Sequence, residues 1–319
     1  MALRSFIPAS LKKAQDFTPE YIMLCAENAL HASPDFHGVL ANHNSTYLSG
    51  GPHLQRRAGS GTEFWQYREY REGDAAHTID WRKSARSETH YVREREWEKA
   101  QTVSLWLSNA PDMQFKHKKS ALSKYHYGAI LTYIAAAKFL HGGERLSLLG
   151  SPIQNRQSAA SLHELGAYLA HQDVTDKQTE QSALKTAQHS IPILLADFWD
   201  EPEQLNKQLA ELNTQNHAGL LIQIVDPAEL SLPYKGRVLL DSANTESRDQ
   251  LNTSKFTINK IENIRAEYCT RVKDHCYMIA RIAAKQGYRS LCISTDTDFA
   301  QATRAIYTAL AAHKQIKGR

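Results

Sequence analysis

From residue 101 onward, short apolar runs alternate with helix-period segments, and this alternation constrains the fold more than any other feature. The runs "TVSLWLS" (102–108), "RLSLLG" (145–150), "IPILLAD" (191–197), "GLLIQIVD" (219–226) and "SLCIS" (290–294) have strand length and are largely apolar. Runs of this kind belong to strands covered from both sides. Helical patterns separate them. Lys124 to Leu140 places Tyr127, Ile130, Leu131 and Ile134 on one face, with Gly142-Gly143 as a stop. Ser161–Ala170, Pro202–Leu212, Ile261–Lys285 and a last helix over Phe299–Ala312 follow. Such alternation needs crossover connections, so the expected fold class is α/β: a doubly wound, mainly parallel sheet with helices on both faces. The stretch "LPYKGRVLLDSANTESRD" (232–249) carries turn residues and predicts a hairpin or loop beside the sheet.

Residues 1–100 break this pattern. Leu11–Ala32 reads as helical, with Pro19 marking a break or a second start. Beyond it, "HLQRRAG" and "THYVREREW" alternate like short antiparallel strands or an extended arm. The expected organisation is an N-terminal helix plus a charged, aromatic β arm over 1–100, and an α/β domain over 101–319.

From Glu63 to Lys99, 17 of 37 residues are charged, and Trp65, Trp81 and Trp97 share the window. Eight basic and nine acidic residues leave a net of −1, which argues against a phosphate-binding surface. Mixed charges with interleaved rings suit forked arginine–carboxylate bonds and cation–ring stacking. Arg68, Arg71, Arg82, Arg86 and Arg93 are the candidate forks, with Asp74 and Asp80 among their partners. Gly73-Asp74 is a turn signal, and Ile79-Asp80-Trp81 alternates as a strand would. A structural ion-pair lattice is the leading reading. A docking surface or an acid–base site is the alternative.

Composition excludes several classes. A net charge of +4 over 319 residues gives no strong pull toward nucleic acid or an anionic membrane. No apolar run is long enough to span a bilayer and no export signal opens the chain, so a cytoplasmic protein without a membrane span is expected. Cys25, Cys269, Cys276 and Cys292 lack metal-site spacing and read as reduced, mostly buried thiols. Phosphate-loop, HExxH and GxSxG motifs are absent. The basic run "KHKKSALSK" (116–124) reads as a solvated loop and helix start.

The blocks "GSGTEFWQYREYREGD", "IDWRKSAR" and "YVREREWE", followed by "GERLSLLG", "LLADFWD", "IVDPAEL", "LPYKGRV" and "STDTDF", resemble the signature of a bacterial family. It is domain-of-unknown-function family fifty-eight, whose members carry a domain similar to the von Willebrand factor type A fold. Gly59, Gly61, Phe64, Arg68, Tyr70, Gly73, Asp74, Ile79, Asp80, Trp81, Ala85, Arg86 and Val92 stand at signature positions. The resemblance implies a cytoplasmic α/β domain, and with the nucleophile and phosphate motifs missing the leading expectation is a non-catalytic binding protein. It would act as an adaptor beside an AAA+ ATPase of the MoxR type, in chaperone-like maturation or remodelling of a client.

Type A domains often hold Mg²⁺ through an Asp-x-Ser-x-Ser run after the first core strand. In "LWLSNAPDM" (105–113), Ser108 replaces the aspartate, Ala110 the first serine and Asp112 the second. Alanine offers no oxygen to a hard cation, so no cofactor is the leading expectation. A remodelled Mg²⁺ site on Asp112 and Asp197 is the alternative, and with it a Mg²⁺-dependent hydrolase using the rim carboxylates. Asp112, Asp197, Asp226 and Asp296 all follow expected strands closely. Helix capping, by Asp197 before the Pro202 helix and Asp296 before the last one, is the rival reading of these carboxylates.

Overall fold

The computed structural model describes residues 17–37, 39–40, 58–71, 79–85, 89–96, 101–117, 120–173, 190–212, 219–240 and 256–312. The chain forms two compact units, one holding residues up to Leu40 together with those from Gln101 onward, the other spanning Ala41–Ala100.

The larger unit is built on five strands: β3 (Thr102–Leu107), β4 (Arg145–Leu148), β5 (Ile191–Ala196), β6 (Leu220–Val225) and β9 (Arg289–Ser294). Their order is β4-β3-β5-β6-β9, every pair parallel. The sheet is therefore the parallel α/β sheet that the alternation predicts, with strand ends within two residues of those expected.

Side-chain alternation divides the core in two. Val103, Leu105, Ile191, Ile193, Leu195, Leu220, Ile222 and Ile224 point to one face. There they meet α1 (Pro19–Ala32), α3 (Lys124–His141), α4 (Ser161–Ala170) and α8 (Phe299–Ala311). Trp106, Leu194, Ala196 and Leu221 point to the other, against α5 (Pro202–Leu212) and α7 (Glu262–Lys285). Helix α3 is buried almost all round, because α1, α4 and α8 cover the side that the sheet does not. Gly128 sets its depth: a Cβ there would lie 2.7 Å from Leu107 Cδ1 and 2.8 Å from Ile224 Cδ1. Gly143, at φ +87°, ends the helix as its sequence requires.

Helix α1 belongs to this unit and not to an arm, which corrects the division at residue 100. Thr18 caps it by accepting from Tyr21 N at 3.3 Å, and Pro19 sits in the first turn, where its missing N–H costs nothing. Its Ile22, Ala26 and Ala29 form the apolar stripe that packs on α3 and α4. Residues 11–16 of the expected helix lie outside the described residues. Leu40 and Gln101, where the chain leaves and re-enters the unit, are joined directly: Gln101 Nε2 donates to Leu40 O at 2.9 Å. Gln101 N also donates to Glu144 Oε2 at 2.6 Å.

The expected hairpin forms with a wider span. β7 (Val238–Leu240) pairs antiparallel with β8 (Phe256–Ile258), beyond the 232–249 stretch. Short α6 (Pro227–Ser231) precedes it.

The smaller unit contains an antiparallel pair, β1 (Ala58–Glu69) and β2 (Tyr91–Glu96), with Tyr67 opposite Arg93 and Arg68 opposite Val92. Ile79–Trp81 is not a strand. Ile79 makes one bridge to Val92, and α2 (Trp81–Ser84) starts immediately after Asp80. The reason is capping: Asp80 Oδ1 accepts from Lys83 N at 3.0 Å, a stronger local preference than three residues of alternation. No helix among the described residues is long and apolar enough to cross a membrane.

Candidate functional site: a buried ammonium at the carboxyl rim

The chain passes from β3 to β4 on one side and then returns to place β5 on the other, so the sheet switches direction at β3. Ligands of open α/β sheets gather outside the strands' carboxyl ends at such a point. Ser108, Asp197 and Asp226 follow β3, β5 and β6 there, and the amino end of α3 is beside them.

Lys124 opens α3 and is 1% exposed. A cation at a helix amino terminus opposes the helix dipole, so its placement needs compensation. Two carboxylates supply it. Nζ donates to Asp197 Oδ2 at 2.9 Å and to Glu229 Oε1 at 2.7 Å, and the Phe115 ring centre lies 5.9 Å away. Burial works against the ammonium, but Asp197 and Glu229 together outweigh it and hold Lys124 above the usual lysine range. Burial likewise pushes Glu229 upward; the nearby ammonium and the Asp226 N–H oppose this without cancelling it.

A second layer fixes the carboxylates. Glu229 Oε2 accepts from Asp226 N at 2.8 Å, closing a capping box on α6. Asp226 is fully buried and accepts three times: from Ala228 N at 2.8 Å, Ser120 Oγ at 2.6 Å and His117 N at 3.3 Å. Buried Gln223 donates to Asp197 O at 2.9 Å. Lys124, Asp197, Glu229 and Asp226 are thus each met by a named partner.

The donor set does not suit Mg²⁺, which demands near-octahedral oxygen geometry. Ala110 has no oxygen to give, Ser108 Oγ is engaged by Ala110 N at 3.3 Å, and Asp197 faces an ammonium that would repel a divalent ion. Asp112 lies in the 3-10 turn Pro111–Gln114. Among the described residues no three His, Cys, Asp or Glu form a group able to hold a metal. Nor is Lys124 suited to be a base, since catalytic lysines need a lowered pKa and this one is raised.

The expected caps are corrected. Asp298, not Asp296, caps α8, accepting from Ala300 N at 3.0 Å, while the Asp197 side chain serves Lys124. Lys124 itself was hidden in the run 116–124, whose last member is buried and not solvated.

In the smaller unit, Asp80 accepts from Tyr67 Oη at 3.2 Å in addition to capping α2. Arg68 is half-buried, and its Nη1 donates to Glu69 O at 3.1 Å; Arg71 is exposed. Trp81 is 61% exposed, edge-on to His90, and Lys83 lies over the Tyr67 and Tyr91 rings. Arg93 lies in β2. Gly73, Asp74 and Arg86 lie outside the described residues, as do Trp65 and Trp97 in their side chains.

The family model described as "Protein of unknown function DUF58" matches residues 66–277, more than half of the chain. The chain belongs to the DUF58 family. Two solved structures are similar to this DUF58 chain. One is an aerotolerance-related membrane protein from Bacteroides fragilis NCTC 9343 carrying multiple mutations to serine. It is 10% identical, covers 67% of this chain and 100% of its own, and has a TM-score of 0.39. The other is the conserved hypothetical protein BatB from Bacteroides thetaiotaomicron, 11% identical, covering 68% and 100%, with a TM-score of 0.39. Likenesses this distant transfer no chemistry. No curated protein matches the chain.

Proposed function

We propose that this DUF58 protein is a non-catalytic, cytoplasmic protein-binding adaptor. It has a von Willebrand factor type A-like domain and works with a MoxR-type AAA+ ATPase in maturing or remodelling a client. The observation that carries this reading is Lys124. The position on an α/β sheet where a ligand or ion would be gripped is filled by the protein's own cation, tied to Asp197 and Glu229. With Asp197 and Glu229 both bound to Lys124, that pair is not open to activate water, which weighs against the rival reading of a Mg²⁺-dependent hydrolase.

The exposed rings of Tyr67, Tyr70 and Trp81 on the smaller unit support partner binding, because aromatic side chains dominate protein interfaces. The test is co-purification with a MoxR-type ATPase from the same genome under apo, ADP and ATP-analogue conditions, with ATP turnover measured on mixing. Association and altered turnover are expected. Absence of both under every condition overturns the adaptor reading, and Mg²⁺-dependent phosphoester cleavage by the purified chain would install the hydrolase in its place.

A further inference from the structure

Outside the rim, two thiols converge between α7 and the edge strand β9. Val272, Cys276, Ile279 and Ala283 recur at helical spacing along α7, and the three apolar members are buried. Ile279 and Ala283 pack on the second face of the sheet, so Cys276 lies on the sheet-facing stripe. On β9, Leu291 and Ile293 pack on the first face, which directs Cys292, between them, to the second. Helix α7 packs on β9, so the two thiols are on facing surfaces of that contact. Cys292 is exposed and Cys276 half-buried, so the pair faces solvent and does not sit in the core expected for it.

We propose that Cys276 and Cys292 form a reversible dithiol–disulfide site, oxidised by small peroxides, that staples α7 to the edge of the sheet. The chemistry balances as two steps. The Cys276 thiolate attacks a peroxide oxygen and the O–O bond breaks, giving a sulfenic acid and a hydroxide (or alkoxide) that takes up the proton the thiol had released, leaving as water (or an alcohol). Cys292 sulfur then attacks Cys276 sulfur, the S–O bond breaks, and its own proton leaves with the oxygen as a second water. Two thiols lose two electrons, and the peroxide gains them. Interaction with the Cys292 thiol lowers Cys276 to about 7, and the same interaction pushes Cys292 upward. One sulfur is thereby set to attack and the other to resolve. Strand β9 pairs only with β6 among the described residues, so an S–S bond would tie α7 to the sheet's edge strand.

The other two thiols serve as internal controls: Cys25 is raised by burial, and Cys269 is engaged with Leu230 O at 3.5 Å. The test is titration of the full chain with hydrogen peroxide, thiol counting and non-reducing peptide mapping. The expected result is a fall from four free thiols to two, a linked 276–292 peptide minus two hydrogens, and full reversal by dithiothreitol. The rate should follow an ionisation near pH 7, and Cys292→Ala should move that ionisation to higher pH while trapping a sulfenic acid on Cys276. Four thiols surviving stoichiometric peroxide overturns the proposal. So does a linkage involving Cys25 or Cys269, or oxidation of Cys276 to sulfinic acid with Cys292 still free. The wild-type map decides the matter even if a variant fails to fold.

Discussion

Replacing Lys124 by methionine tests the internal cation most directly. Methionine keeps an unbranched apolar stem, so the packing that the lysine methylenes make is largely preserved and the ammonium alone is removed. Two carboxylates then face each other without a counter-ion, their side chains 11% and 16% exposed. Removing one member of a buried ion pair costs about 3–5 kcal/mol. The residual exposure of Asp197 and Glu229 lets some water relieve them, so the lower end, about 3 kcal/mol, is the expected loss. At roughly 2–4 °C per kcal/mol for a domain of this size, the Tm falls by about 6–12 °C. The loss also has a pH signature. Glu229 is already raised by burial, and without the ammonium it rises further. A carboxylate whose folded pKa is raised binds its proton more readily in the folded state, so its destabilisation is present at neutral pH. It is relieved as pH falls through the folded pKa toward the unfolded value. Lys124→Met should therefore cost most near pH 8 and least near pH 5. Adding Asp197→Asn and Glu229→Gln should restore most of the stability, since neither of the lysine's two partners is then left charged without a counter-ion. Urea melts across this pH range provide the measurement. A single variant within about 1 kcal/mol of wild type at pH 8, the worth of an exposed pair, would refute the buried-lock argument.

Gly219→Ala should cost about 1–3 kcal/mol by overpacking, because its Cβ would lie 2.2 Å from the Tyr288 ring and 2.8 Å from Pro192 O; chemical denaturation at neutral pH measures it, and a neutral variant would show that Tyr288 moves freely. Trp81→Ala should leave thermal stability within about 0.5 kcal/mol, as exposed positions do, yet weaken ATPase or client association by tenfold or more; unchanged binding would remove this face from the adaptor surface. His126 stacks on Phe17 at 4.0 Å and is held below the usual imidazole range by burial, with Lys116 adding to it. The unfolded chain takes up a proton near pH 6.5 while the folded chain resists, so stability falls as pH drops below that value. His126→Gln should flatten this part of the profile, and identical wild-type and variant profiles between pH 7 and 5 would count against it.

The sheet was legible because its signal is local. Five apolar runs bounded by turn residues mark β3, β4, β5, β6 and β9, and 3.6-residue spacing marks the helices between them. The rim was only half legible. That carboxylates follow β5 and β6 can be read from position, since a parallel sheet sends its strand ends to one edge. That Lys124 sits among them cannot, because its partners are 73 and 105 residues away in sequence and meet it only once α3 has docked. A signal was present nonetheless: a lysine at the first position of a helix too apolar to be solvated contradicts the helix dipole, and such local contradictions mark sites. Asp80 teaches the reverse lesson, since an aspartate three residues before a backbone N–H it can cap outweighs a short alternation. The thiol pair could have been found by laying the α7 stripe and the β9 alternation side by side.

The bond between Leu40 and Gln101 makes residues 41–100 a cassette inserted through a single doorway. Inside the larger unit, that bond fastens the stretch after α1 to the residue leading into β3, a strand gripped by β4 and β5 on either side.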